Sequence, residues 1–296
     1  MIKIKDILLF LSKEKIEYGF NGNEDVEVGG YCSLNNYSPG CMTWIKKIEN
    51  ICINEKDILL AITQIGFDVS CENTIYVIDS KYVFFKIIEE FFSKNIELPA
   101  IGHGTYISKN VKIGKNVKIG HNCVLDGEIT IGDNTNIYHN VTIINRVNIG
   151  IGCEIQSGVN IGHDGYAYTE TSDHRKRMVK HYGYVSIGDN VYIGGNSYIE
   201  RGVIDGTIIG SGTKLDGNTV IGHNCIIGSN CSFVSGCTVY GSVYIGDNAY
   251  IASAIIKNQI KIGKDALIGM GSIVTKDVAN NTVVAGNPAK ELRRRY

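Results

Sequence analysis

From residue 101 onward an apolar residue recurs at every sixth position, a rhythm that few folds can absorb. Ile101, Ile107, Ile113, Ile119 and Leu125 open an unbroken series that reaches Ile161. It resumes at Ile187, Ile193 and Ile199, then shifts phase and runs from Val203 through Ile209, Leu215 and Ile221 to Ile251. A last stretch holds Ile262, Ile268 and Val274. A period of six matches neither a helix nor the two-residue alternation of a lone strand. It fits a hexapeptide β-helix, in which three units close a triangular coil of about 18 residues and coils stack about 4.8 Å apart. The apolar residue fills the axis. The Gly that often follows it, as in Ile113-Gly114 and Ile131-Gly132, is expected to give the corner its backbone freedom. Stacking then buries a continuous core that no single unit could bury alone. The expected fold class is mainly β, a parallel β-helix over residues 99–284 preceded by a small α/β domain.

Residues 1–98 lack the period and mix helical patterns (4–15, 83–94) with strand-like runs such as Ile75-Tyr76-Val77-Ile78. At 162–186 the rhythm stops for a polar stretch, which reads as a surface loop of the kind that carries function. Residues 285–296 form a short tail ending in Arg293-Arg294-Arg295, read as either a partner for donor phosphates or a solvated end. With 29 basic and 30 acidic residues there is no field to draw in nucleic acid or an anionic membrane. No run of 18 apolar residues predicts a membrane span, and MIKIKDILLFLSKEK lacks a signal-peptide pattern, so a cytoplasmic location is expected. The 9 cysteines include no CxxC pair, and five of them (Cys123, Cys153, Cys225, Cys231, Cys237) lie four places after an apolar anchor. That slot predicts small inward side chains, because a buried Cys packs as a small hydrophobe.

Five histidines lie two places after an anchor, and His103, His121 and His139 are 18 apart, which stacks them along one edge. The ladder invites a metal reading. A row of exposed corner residues is the preferred one, since a zinc site needs convergent geometry, and no metal is expected. His223 differs in its company: Asp216 lies seven residues earlier in LDGNTVIGHN. A carboxylate beside an imidazole would fix its tautomer and raise its basicity, as a general base requires. The single Trp, Trp44, lies in a polar segment and suits either base stacking or a half-buried anchor.

These segments resemble the left-handed β-helix acyltransferases, and among them the UDP-3-O-acylglucosamine N-acyltransferase family of lipid A synthesis. The likeness spans nearly the whole chain in the same order: a nucleotide-contacting domain, the β-helix, and a loop that begins DGYAY at Asp164. It implies that Trp44 stacks on the nucleobase, with Lys47 standing where the family tends to place Asn. It further implies His223 as general base, Asp216 as its acidic partner, and Gly241 as the N–H donor to the oxyanion. Gln259 stands where the lipid A enzyme has a second His. The implied assembly is a homotrimer with clefts between neighbours, where Tyr166 or Tyr168 of the loop would touch substrate. The lipid A enzyme's helical extension is missing, and GNPAK resembles the ending of β-helix acetyltransferases.

The function expected is acyl transfer, with acetyl-CoA as cosubstrate and no bound cofactor, to the amine of a nucleotide-linked aminosugar. The alternative is a long 3-hydroxyacyl group from acyl carrier protein (acyl-ACP), delivered to a UDP-glucosamine derivative. A β-helical carbonic anhydrase would need an H-x4-H pair, which the sequence lacks. A non-catalytic scaffold that binds a sugar nucleotide would leave the Asp216–His223 pair and Gly241 without a purpose.

Overall fold

A computed structural model describes residues 1–46, 54–93 and 98–296. The chain divides into two compact units, Met1–Ile96 and Glu97–Tyr296.

The first unit is a small α/β layer. Helix α1 (Ile4–Lys13) buries Ile4, Ile7, Leu8 and Leu11, the spacing of a single helical face. Strands β1 (Tyr18–Asn21), β2 (Gly30–Tyr31), β3 (Cys41–Ile45), β4 (Leu60–Gln64) and β5 (Thr74–Val77) form one sheet in the order β1-β5-β4-β3-β2. Only the β1–β5 pair is antiparallel. Helix α2 (Ser80–Phe91) is capped by Asp79, whose carboxylate accepts from Tyr82 N at 3.0 Å. Ile4, Ile7, Ile62, Ile75, Val83 and Ile87 share one core, so both helices cover the sheet.

The second unit is the β-helix. Its coils pair in parallel with the anchors in register: Ile119 beside Ile137, Ile137 beside Ile155, and Leu215 beside Phe233. We call the face carrying these residues the first. The second carries Leu125, Ile143 and Ile161, and the third carries Ile131 and Ile149. All ten residues are buried at 3% exposure or less. The register accounts for the interruptions in the series. Ile161 pairs with Ile199 and Ile149 with Ile187, so one coil carries an insertion at the corner between its second and third faces. Ile199 then pairs with Ile221 and Ile187 with Ile209, which places a four-residue insertion at the same corner of the next coil. Val203 belongs to that insertion and is only half-buried, so it is a corner residue and not the axis anchor the spacing suggested.

The glycines after the anchors do a different job from the one expected. A Cβ on Gly132 would lie 2.5 Å from the carbonyl carbon of Gly150, and one on Gly120 would lie 2.7 Å from that of Tyr138. They are required by the close approach of the next coil. The left-handed turn falls two residues later, usually on Asn: Asn122, Asn134 and Asn140 have φ of 56–57°. Asn tolerates that region better than most residues. Five cysteines fill the inward slot with 0% exposure. Burial pushes the Cys225 thiol up to about 12 and the Cys231 thiol to about 11, which leaves them unreactive.

The tail is not a loose end. Lys290–Arg294 pairs antiparallel with Thr282–Ala285 and closes the first-face sheet. Arg295 Nη1 donates to the carbonyls of Asn248, Asp265 and Ala266, which clamps the last coils.

Candidate active site

Three corners run along the β-helix, and at two of them side chains cap several of the backbone amides. At the corner after the first face, His103 N donates to His121 Nδ1 at 2.8 Å and His121 N donates to His139 Nδ1 at 2.9 Å. The His121 and His139 rings stack with centroids 5.2 Å apart. Each imidazole therefore caps the amide of the coil before it, a role that Asp133, Asp189 and Asp247 fill after the third face. Among the described residues no group of three His, Cys, Asp or Glu side chains could hold a metal ion.

The corner after the second face is different. Here both insertions occur, and here a cleft of about 470 Å³ opens beside His223. Tyr166, Glu200, Tyr240, Gly241, Ser242 and Gln259 are among its lining. His223 N donates to Glu200 Oε2 at 2.9 Å, and the His223 Nδ1 lies 3.1 Å from Asn224 Oδ1. Val203 N also donates to that Oδ1, at 3.0 Å, which identifies the atom as the amide oxygen. Nδ1 must then carry the proton, and Nε2 keeps the lone pair. Nε2 lies against Gly241: a Cβ placed on that glycine would sit 2.6 Å away. Gly241 N donates to no group among the described residues, unlike the capped amides of His103 and Lys115.

Of the residues singled out from sequence, His223, Gly241, Tyr166 and Gln259 come together in this cleft. Tyr168 packs against Tyr166 at 4.9 Å on the hairpin Tyr168–Glu170/Lys176–Met178. The expected Asp216–His223 pair is not formed. Asp216 follows a first-face strand and His223 follows a second-face strand, so a full face separates them. Asp216 instead accepts from Gly217 N at 2.7 Å. The carboxylate in the cleft is Glu200, and the group that sets the tautomer is Asn224.

Asp164, expected to meet substrate, is an internal anchor. Its Oδ1 accepts from Arg201 Nε at 2.7 Å and its Oδ2 accepts from His181 N at 3.2 Å. Burial alone would raise its pKa, but these two donors outweigh it and hold the carboxyl below its usual range. Trp44, in the other unit, is half-buried, donates through Nε1 to Ser80 Oγ at 2.9 Å, and has Lys81 Nζ 5.9 Å from its ring centre. Lys47 lies outside the described residues. Glu200 and Asn224 were missed. The available signal was that the charged pair Glu200-Arg201 follows anchor Ile199, just before the series shifts phase.

Among the described residues no helix is long and apolar enough to cross a membrane. Family models match in two stretches: residues 110–145 fit the hexapeptide repeat of succinyl-transferase, and residues 203–292 fit the GMPPB C-terminal domain. The chloramphenicol acetyltransferase of Klebsiella aerogenes is 46% identical over 57 residues, 19% of this chain and 27% of that protein, so this chain spans only about a quarter of that relative. LpxA from Acinetobacter baumannii superposes with a TM-score of 0.60 at 28% identity, over 66% of this chain and 74% of that one. The UDP-3-O-acylglucosamine N-acyltransferase of Campylobacter concisus is 34% identical over 312 aligned positions, covering 100% of this chain and 96% of that enzyme. With that full-length match and this fold, the chain belongs to the left-handed β-helix, hexapeptide-repeat acyltransferases, in the family of UDP-3-O-acylglucosamine N-acyltransferase.

Proposed function

We propose that the protein transfers an acyl group from a thioester to the amine of a nucleotide-linked aminosugar, with His223 as general base. The observation that carries this reading is the juxtaposition at the second corner of an imidazole nitrogen with a free lone pair and a backbone N–H with no partner. The neutral amine attacks the thioester carbon. His223 Nε2 takes the proton from the new ammonium while the Gly241 N–H holds the oxyanion of the tetrahedral intermediate. Collapse breaks the C–S bond, and the departing thiolate recovers the proton. Asn224 keeps Nδ1 protonated throughout, the task first given to Asp216. Tyr166 and Gln259 contact substrate from the cleft walls. Trp44 and Lys47 are assigned to the nucleotide, and the working unit is a homotrimer.

The donor is acetyl-CoA, in keeping with the acetyltransferase relatives. The full-length likeness to UDP-3-O-acylglucosamine N-acyltransferase supports a second reading, a long acyl group from acyl carrier protein. Purified protein offered each donor with UDP- or dTDP-linked aminosugars separates the two. His223→Ala is expected to stay folded and lose at least about a hundredfold in turnover. Turnover near that of the wild type would remove His223 from the chemistry, and full activity in a monomer would remove the trimer.

A further inference from the structure

The return of the 162–183 insertion brings a second imidazole to the back of the first. His181 is completely buried, at 0% exposure, and its ring lies 5.3 Å from that of His223 at 79°, an edge-to-face contact. Both of its ring nitrogens are buried without a hydrogen-bond partner. Such a residue is uncommon, because a buried polar group is nearly always paired. The imidazole does no hydrogen-bonding work, and what remains is its shape.

Its backbone is held tightly. His181 N donates to Asp164 Oδ2, Tyr182 N donates to Val203 O at 2.7 Å, and Gly183 N donates to Gly202 O at 3.0 Å. Arg201 fixes Asp164 in turn. The ring therefore has a fixed place against His223, set from outside the cleft. The charged and titratable groups around it are Asp164, His223 and Glu200. Burial disfavours the charged form of His181 and outweighs the opposing pull of Asp164.

We propose that His181 is a positioning residue. Its ring braces His223 from behind, so that Nδ1 stays on Asn224 and Nε2 stays turned toward Gly241. This rests on the reading of His223 as the base, but its first readout does not. In nitrogen NMR of the imidazoles, wild-type His223 should show one dominant tautomer, protonated on Nδ1. His181→Ala should give a mixture of tautomers, with kcat down at least tenfold and KM within twofold. His181→Phe keeps a flat ring of similar size and removes the unpaired nitrogens. It should restore the single tautomer and kcat to within threefold, with a melting temperature no lower than the wild type.

A His223 tautomer unchanged in His181→Ala would overturn the proposal whatever the activity, since a merely structural loss would lower activity without moving that signal. A Phe variant as impaired as the Ala variant would also overturn it, by placing the requirement in the imidazole nitrogens. If His223→Ala itself turns over normally, the functional reading fails while the tautomer result still decides whether His181 braces the ring.

Discussion

Gly241→Ala offers a test in which stability and activity should separate. The φ of Gly241 lies outside the left-handed region, so the backbone accepts alanine. At such a site the change should leave stability level or raise it by about 0.4–1 kcal/mol through the unfolded chain. The new Cβ, however, would sit 2.6 Å from His223 Nε2 and 2.7 Å from Cε1, whereas ordinary contact begins at 3.4 Å. The imidazole must therefore retreat by roughly 0.8 Å, the difference between those distances, and a misplacement of about 1 Å costs on the order of a hundredfold in rate. Gly236→Ala is the converse control. Its φ is +78° and nothing lies within 4 Å of its Cβ position. It should lose about 1–2 kcal/mol, or about 2–8 °C in melting temperature, and keep its turnover. The assay is thiol release from the donor, followed with a chromogenic disulfide, beside a thermal melt of each variant. Gly241→Ala with kcat within threefold of the wild type would refute the placement of the base against this glycine.

Other expectations follow from the same geometry. Ile221, fully buried on the strand that leads into the His223 corner, should cost about 2–5 kcal/mol when cut to Ala, read by denaturant titration. Burial holds His163 and His181 below the usual histidine value of 6.5, with Asp164 pulling the other way. The unfolded chain therefore takes up those protons first, and stability present above pH 6.5 should fall as the pH drops below it. Asp164, held below its usual 3.8, adds a further loss on going below that pH. His181→Phe should flatten the first decline but not the second in melts recorded from pH 7 to 3. His121→Ala removes an amide cap and should cost about 1 kcal/mol. Chelator or added zinc should leave the melting temperature of the wild type unchanged, and a zinc-dependent rise would revive the ladder as a metal site.

The architecture was legible because a six-residue period survives every local irregularity, and Ile119, Ile137 and Ile155 show it in register. The pairing of Asp216 with His223 was misjudged for the same reason that the fold was read correctly. Seven residues look close along a chain, but in a coil of three flat faces they span one face plus a corner. Neighbours in this fold are instead about one coil apart. Glu200 reaches His223 from 23 residues away, and the separation is 23 because a four-residue insertion lies between them. His181 reaches the same ring from 42 residues away, through the return of a loop whose path no period describes. Asn224 was adjacent in sequence, yet its role depends on which atom faces the imidazole, which spacing does not encode.

The three corners also explain why chemistry would settle at one of them. Where coils repeat without interruption, several corner amides are consumed by a side chain of the next coil, as His121, Asp133 and Asp247 consume those of His103, Lys115 and Ser229. An amide capped in this way has no donor left for a ligand. Both insertions fall at the corner after the second face, and one coil beyond them the Gly241 amide is left unused. The same interruptions bring in Tyr166 and His181, which no hexad could place there. The regular repeat makes the structure stiff, and its lapses at a single edge supply an open donor, an oriented base and a wall of loop side chains. A variant with residues 162–183 replaced by two residues, which restores the ordinary six-residue spacing from Ile161 to Ile187, should therefore keep the β-helix and lose the cleft.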